Sequence, residues 1–393
     1  MRLLHTSDWH LGRTLHGLSI IDAQRDALDH IVATAREKDV DAVLVSGDVY
    51  DRAVPPVEAV QLFAETLRCL SKICPVIVSS GNHDSAIRLG FGADLFRDRL
   101  HIRTRVDQID EPVVLSDESG PVLVYPIPYL DPDSVRRKLA EEPLPRSHEH
   151  VMAAALDRVR TDVARRESEA GAPLRTVVMA HAFVGGRGES ASRSDSERDI
   201  RVGGVEIVPT TVFDGITYTA LGHLHGAQEP SRGPAGFVRY SGSPLRYSFS
   251  EAKHTKSVTL VDLGPDGLKS VSAVAVPQPR DMVELRGGFR DLLDDPDNSA
   301  HAQSWVKVVV TDPIRPDHMY DELTSRFPNV LSVHHQPDQA TVTVGSIVVS
   351  PTRDPLDVVA DFVRAARQAD ITEAEHEVVR EAYEALRREE GSA

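Results

Sequence analysis

Cysteine is nearly absent from this 393-residue sequence, where only Cys69 and Cys74 occur. That scarcity argues against a disulfide framework and for a reducing compartment, with two buried thiols as the default state. Positive charge is short as well: 44 Lys and Arg face 60 Asp and Glu, a formal charge of −16. Net charge alone therefore cannot hold a polyanion, and any nucleic acid would need a local basic surface or metal ions. No stretch reaches the roughly 18 apolar residues of a membrane span, and Met1–Asp8 lack the apolar core of a signal peptide. The cytoplasm is the expected location. What the chain does have, 41% hydrophobic and 26% charged residues, is a globular composition that rules out disorder as the dominant state. Its length suggests two or three domains.

Short apolar runs alternate with helical patterns over residues 1–280, the signature of a layered α/β architecture. A buried strand at Leu3–Ser7 breaks into Asp8-Trp9-His10-Leu11-Gly12, and a helix carrying Ala27, Leu28, Ile31, Val32 and Ala35 follows. The strand Ala42–Val45 ends at Ser46-Gly47-Asp48; Pro55-Pro56 open a second helix that stops before Pro75. Further strands are expected at Val76–Val78, Val122–Tyr125, Thr176–Met179, Ile216–Ala220 and Thr255–Leu263, with a helix around His148–Arg166. The segment Gly185–Asp199 lacks apolar periodicity and reads as a mobile loop of the kind that closes over substrates. Pro277-Gln278-Pro279 suits an interdomain hinge. Beyond it, strands at Trp305–Val310, Val330–His335 and Ala340–Val349 and a helix at Asp317–Phe327 form a small α+β module. Asp354 with Pro355 caps a helix striped by Leu356, Val359, Phe362, Val363 and Ala366. Thr372 with Glu375 makes a capping box for a second, which carries Val378, Val379, Ala382 and Leu386. The domains are thus 1–278, 279–350 and a helical tail, 351–393.

Five short elements each follow a predicted buried strand: Asp8-Trp9-His10, Gly47-Asp48-Val49-Tyr50-Asp51, Gly81-Asn82-His83-Asp84, Met179-Ala180-His181 and Leu221-Gly222-His223-Leu224-His225. Loops at the carboxyl ends of strands in an open α/β sheet converge on one crevice, which gathers Asp, Asn and His at one place. Oxygen and imidazole donors without thiolate suit Mn²⁺, Fe²⁺ or Zn²⁺. Seven such donors are too many for one tetrahedral ion. Two ions sharing a carboxylate are the arrangement that clamps an in-line displacement at phosphorus, so phosphoester hydrolysis is the natural chemistry. Gly47, Gly81 and Gly222 each precede a candidate ligand, where the lack of a Cβ permits a sharp turn or close backbone approach.

This set, D-x-H, G-D-x-x-D, G-N-H-D, a lone His and G-H-x-H, resembles the calcineurin-like metallophosphoesterases. More narrowly, Thr6–Gly12, Ser80–Ser85, Gly222–His225 and Tyr240-Ser241-Gly242-Ser243-Pro244 resemble the SbcD type, the nuclease subunits of bacterial double-strand-break repair complexes. The resemblance implies an α/β sandwich, two central β-sheets flanked by helices, with a small α+β cap and a C-terminal helical tail. It implies one metal on Asp8, His10 and His225, another on Asn82, His181 and His223, and Asp48 between them; the ions are typically manganese. His83 would stand outside the ligand set and stabilise or protonate the departing 3′ oxygen, a general-acid contribution of about 10²–10⁴-fold. Asp84 would orient His83. It further implies DNA ends and hairpins as substrate, an SbcC-type coiled-coil ATPase gripped by the tail, and homodimerisation through the catalytic domain. Asp51 departs from family members that carry a His there, and its role stays open.

Two rivals use the same residues. One is a phosphoesterase for small nucleotides or phosphoproteins, which has less need of residues 281–393. The other is a non-catalytic scaffold for DNA ends, which has no need of a full ligand set. A lone His or Asp at a strand end is ordinarily a cap, so the case rests on co-occurrence. His5, His16, His30 and His101 lack such company and read as structural, and Trp9 reads as packing. Arg13, Arg52, Arg88, Arg187, Arg193, Arg198 and Arg201 lie near the motif loops, where they could meet phosphates or simply be surface charge.

Overall fold

The computed structural model describes residues 1–96, 98–185, 194–197, 207–233, 236–338, 354–367 and 370–390. Most of the expected Gly185–Asp199 loop lies outside them, as do the Ala340–Val349 strand and Arg187, Arg193, Arg198 and Arg201.

Two six-stranded sheets form the centre. Strands β1 (Arg2–Thr6), β2 (Ala42–Ser46), β3 (Val76–Ser79) and β4 (Leu100–Arg103) run parallel in the first. The second holds β5 (Val113–Asp117), β6 (Gly120–Pro126), β7 (Arg175–His181), β8 (Tyr218–Gly222), β9 (Gln228–Gly233) and β10 (Gly236–Tyr240). Returning to the first sheet, β11 (Ser257–Gly264) and β12 (Gly267–Ala275) complete the order β12-β11-β1-β2-β3-β4; the second runs β9-β10-β8-β7-β6-β5.

Strand alternation decides which side chains meet. Leu3, Leu44, Ile77, Val177, Met179 and Tyr218 face the space between the sheets. Leu4, Val43, Val45 and Val78 point outward against α1 (Ile21–Glu37) and α2 (Val57–Leu70). The second sheet turns Leu123, Tyr125, Val178 and Leu221 against α3 (His148–Ala170). Both faces of each parallel stretch are covered, which is why its strands read as continuous apolar runs. The layered α/β sandwich expected from the sequence is the observed fold.

Beyond residue 280, strands β13 (Met282–Gly287), β14 (Trp305–Val310) and β15 (Val330–His335) form a small parallel sheet. Its own core gathers Phe289, Leu292, Val306, Val308, Leu323 and Phe327. Met282 and Trp305 are buried with the outer core of the first sheet. The segment read as a hinge is tied down: Gln278 Nε2 donates to the carbonyls of Pro244 and Val276, 3.0 Å each. The tail helices α4 (Pro355–Arg367) and α5 (Glu373–Glu390) carry the expected caps, with Leu356 N–H on Asp354 Oδ1 at 2.9 Å and Thr372 N–H on Glu375 Oε2 at 2.9 Å. Among the described residues, no helix is long and apolar enough to cross a membrane. Both cysteines are free thiols, Cys74 buried and Cys69 half-buried.

Candidate active site and metal centre

The parallel registers bring the strand ends level. Thr6 pairs Val45, Ser46 pairs Ser79, and Gly222 pairs His181, so the loops after β1, β2, β3, β7 and β8 open at one edge of the sandwich. Two glycines let them approach. Gly47 has φ +80° and would set a Cβ 2.4 Å from His181 Nδ1; a Cβ on Gly222 would stand 1.9 Å from the Ser46 carbonyl. Four side-chain-bearing donors, Asp8, His10, Asp48 and His223, themselves hold left-handed backbone, with φ between 44° and 109°. Such conformations cost of order 1–3 kcal/mol each and persist where surrounding structure over-determines them.

All seven expected ligands are brought together. Acceptor atoms of Asp8, His10 and His225 form one group, and those of Asp8, Asp48 and His181 an overlapping one, each within 4.8 Å. His10 Nε2 faces His225 Nε2 at 3.0 Å. Asn82 Oδ1 lies 2.9 Å from His181 Nε2 and 3.3 Å from His223 Nδ1. Asp48 Oδ2 stands between the groups, 3.6 Å from His10 Nε2 and 3.4 Å from His181 Nε2. Asp8 also accepts the His223 N–H at 3.0 Å, which ties the first loop to the last.

The donor set fits a divalent cation. His181 Nδ1 is 3.0 Å from the Ser46 carbonyl, which can only accept, so Nδ1 carries the proton. Its Nε2 then turns a lone pair toward two oxygens, Asn82 Oδ1 and Asp48 Oδ2. A second imidazole proton or an ion at that point makes the convergence favourable. The electrostatics of the cluster make the same demand. Burial disfavours a charged His181, yet the Asp48 carboxylate pushes it up to about 9. Burial would likewise raise Asp48, but His181, with His10 and His83, holds it well below the usual carboxylate range. Asp8, buried and beside Asp48, is pushed up to about 8, and a cation is what would keep both ionised.

His83 is buried, and with His10 and Asp48 it forms a third such group. Its Nδ1 donates to the Asp51 carbonyl at 2.7 Å, and its Nε2 lies 3.9 Å from Asp48 Oδ2. Asp84 does not orient it, contrary to the expectation. The Asp84 carboxylate instead accepts the N–H groups of Tyr50 at 2.9 Å, Gly81 at 2.9 Å and Val49 at 3.1 Å, fastening the third loop to the second. A short acid after a Gly-Asn-His turn satisfies the nearest orphan amides first. Asp51 acquires a place: its carbonyl fixes His83, and its carboxylate lies 3.4 Å from Arg13 and 3.7 Å from His10 Nδ1. Arg13 also donates to the Ser196 carbonyl at 2.9 Å and lies over the Tyr247 ring. Arg88 is turned away, onto the Ala53 carbonyl at 2.9 Å. Trp9 is 1% exposed and packs edge-on against Phe63, as expected. Sequence reasoning missed Ser196 and Glu251, which meet the outer edge of His225, and no motif spacing announces either.

The family model for calcineurin-like phosphoesterases matches residues 1–226. The chain belongs to the calcineurin-like phosphoesterases. Among curated relatives, this phosphoesterase is similar to the D subunit of the nuclease SbcCD of Staphylococcus epidermidis, with 28% identity over 85% of each chain. Among solved structures it is similar to TT1561 of Thermus thermophilus, at 15% identity over 70% of this chain and 99% of that one, TM-score 0.40. A dimetal phosphatase from Danio rerio matches at 10% identity over 70% of this chain and 99% of that one, TM-score 0.42.

Proposed function

We propose that this phosphoesterase is a two-metal-dependent DNA nuclease of the SbcD type, a double-strand exonuclease and a single-strand and hairpin endonuclease serving repair, recombination and replication. The observation that carries the reading is Asp48, one buried carboxylate set between His10 and His181 at 3.6 and 3.4 Å. In this reading Asp8, His10 and His225 would hold one ion and Asn82, His181 and His223 another, Asp48 would serve both, and Mn²⁺ is the ion expected. When bound, such ions polarise a phosphoryl oxygen and lower the pKa of water.

The chain's own groups do the rest. The Asp51 carbonyl holds the His83 Nδ1 proton and so fixes the ring with Nε2 toward the site; as the imidazolium, protonated at both nitrogens, His83 would give its Nε2 proton to the departing 3′ oxygen and be left as the Nδ1–H imidazole. Asp84 keeps the loop of Asn82 and His83 against that of Asp48.

DNA is favoured over a small ester because the likeness to the staphylococcal nuclease protein spans 85% of the chain, well beyond the residues that the phosphoesterase family model matches. Residues 279–350 would then cap the DNA, and 351–393 would grip an SbcC-type coiled-coil ATPase. No described residue of α4 or α5 is buried, and Phe362 and Val378 are left largely exposed, which suits such a grip. A homodimer surface is supported by Val57, Ile87, Phe91 and Leu95, all strongly exposed, with the two segments joined through Arg88 and Ala53. The cytoplasm suits these partners.

The test offers the purified chain, with Mn²⁺, a labelled hairpin duplex and an aryl phosphodiester. Hairpin cleavage is expected; turnover of the ester alone defeats the DNA reading, and hairpin binding without any cleavage identifies a scaffold.

A further inference from the structure

Granting that His225 is a metal ligand, its far edge is held by a buried apparatus that no motif contains. His225 Nδ1 lies 2.6 Å from Ser196 Oγ and 3.2 Å from Glu251 Oε1, and the Ser196 hydroxyl itself hydrogen-bonds Glu251 Oε1. A hydroxyl that gives its one proton to a carboxylate has only lone pairs left to offer. The proton between Ser196 and His225 must therefore sit on Nδ1, which leaves Nε2 bare where it faces His10 Nε2 at 3.0 Å.

Glu251 reaches neither solvent nor the reacting centre. It is fully buried, its second oxygen meets Lys256 Nζ at 2.6 Å, and the Tyr247 N–H lies 3.2 Å from the same oxygen. Lys256, 3% exposed, donates to the His225 carbonyl and to Ser243 Oγ, 2.9 Å each. The His225 N–H is taken by Glu197 Oε1 at 2.7 Å. Ser196 is delivered by the segment 194–197, which Arg13 anchors through the Ser196 carbonyl and Ser250 through the Asp195 N–H, each at 2.9 Å. A buried ion pair is a poor way to fill space, since apolar residues of the same volume often stabilise as well or better. Here both its ends close on one imidazole and its backbone.

We propose that Glu251, acting with Ser196, is a positioning residue that fixes the Nδ1–H tautomer of His225 and aims Nε2 at the ion shared with Asp8 and His10. Carboxylates behind ligating histidines act in this way, and their loss costs about 10–100-fold in metal affinity.

Two variants of the full chain test it. Glu251→Gln with Lys256→Met removes both charges together, so no lone cation stays buried; Ser196→Ala removes the hydroxyl and leaves the ion pair intact. Calorimetric Mn²⁺ titration of the double variant is expected to show one of two binding events weakened by about 10–100-fold and the other unchanged. Ser196→Ala should give the same effect at smaller size. In the metal-free protein, ¹⁵N-imidazole spectra should show the His225 Nδ1–H tautomer giving way to a mixture. Unchanged isotherms and an unchanged tautomer in either folded variant overturn the proposal; should the double variant not fold, Ser196→Ala decides. If the wild-type chain binds no Mn²⁺, the metal reading fails by itself, and the tautomer still judges Glu251.

Discussion

At the scale of single residues, Asp48 touches both halves of the donor set, so its charge cannot be removed from one without the other. Asp48→Asn is expected to lower Mn²⁺ content from two ions per chain to one or none by elemental analysis, and to slow hydrolysis by more than the roughly 10–100-fold typical of an outer contact. His83 makes the opposite case. His83→Ala should keep the metal content and lose about 10²–10⁴-fold in rate; equal turnover would remove it from the mechanism. Six of the seven candidate donors were legible in the sequence because each sits within two residues of a glycine or another donor at the end of an apolar run; His181 stands alone and was legible only as the end of such a run. Adjacency suggested His83 as the partner of Asp84, whereas the fold gives its carboxylate the amides of Val49, Tyr50 and Gly81. Glu251 was invisible for the converse reason: its partner lies 26 positions away and comes near only when the sandwich forms.

Among the elements, most strands covered on both faces announced themselves and most edge strands did not, although the interior β10 was not read and the edge strand β15 was. β2, with all five residues buried, was read within a residue of its observed bounds. β9 was not read at all: Gln-Glu-Pro-Ser-Arg-Gly has no apolar run and includes Pro230, which only an edge strand tolerates. β12 is likewise an exposed edge, and β13 was lost behind Pro277 and Pro279. Edges are secured by other means. Arg175 at the start of β7 is 5% exposed; it grips Asp117 at the β5–β6 turn at 2.5 and 2.9 Å and reaches the Gly264 carbonyl of the other sheet at 3.4 Å. The Arg175 guanidinium holds the Asp117 carboxyl well below its ordinary range. A depressed folded-state value means stabilisation that is complete above the unfolded carboxylate pKa of about 3.9 and lost as the pH falls through the folded value. Arg175→Met is therefore expected to cost about 1.5–3 kcal/mol at pH 7 and less near pH 3, read from urea midpoints. An equal cost at both pH values would contradict the assignment.

On the scale of the whole molecule, Asp8, His10, Asp48 and Asn82 come from one sheet and His181, His223 and His225 from the other. Ions held between them stabilise only the docked pair of sheets. At 100 times its Kd a single ion contributes about 2.7 kcal/mol, so a chelator should lower the melting temperature by several degrees and restored Mn²⁺ should recover it. An unchanged melt would argue against ions bridging the sheets. The tail lies at the other extreme, with none of its described stripe residues buried and the side chains of Ala366 and Leu386 outside those described. Deleting residues 351–393 is expected to abolish capture of the ATPase partner in a pull-down and to leave hydrolysis within about twofold; retained capture would place the grip elsewhere.

The division of ligands between the sheets also bears on when the protein becomes active during its synthesis. The first four donors are made early and the last, His225, only after more than half the chain. A ribosome-bound fragment that ends before β8 offers five of the seven candidate donors and lacks His223 and His225. This phosphoesterase therefore has its full candidate donor set only once its second sheet has emerged and closed on the first.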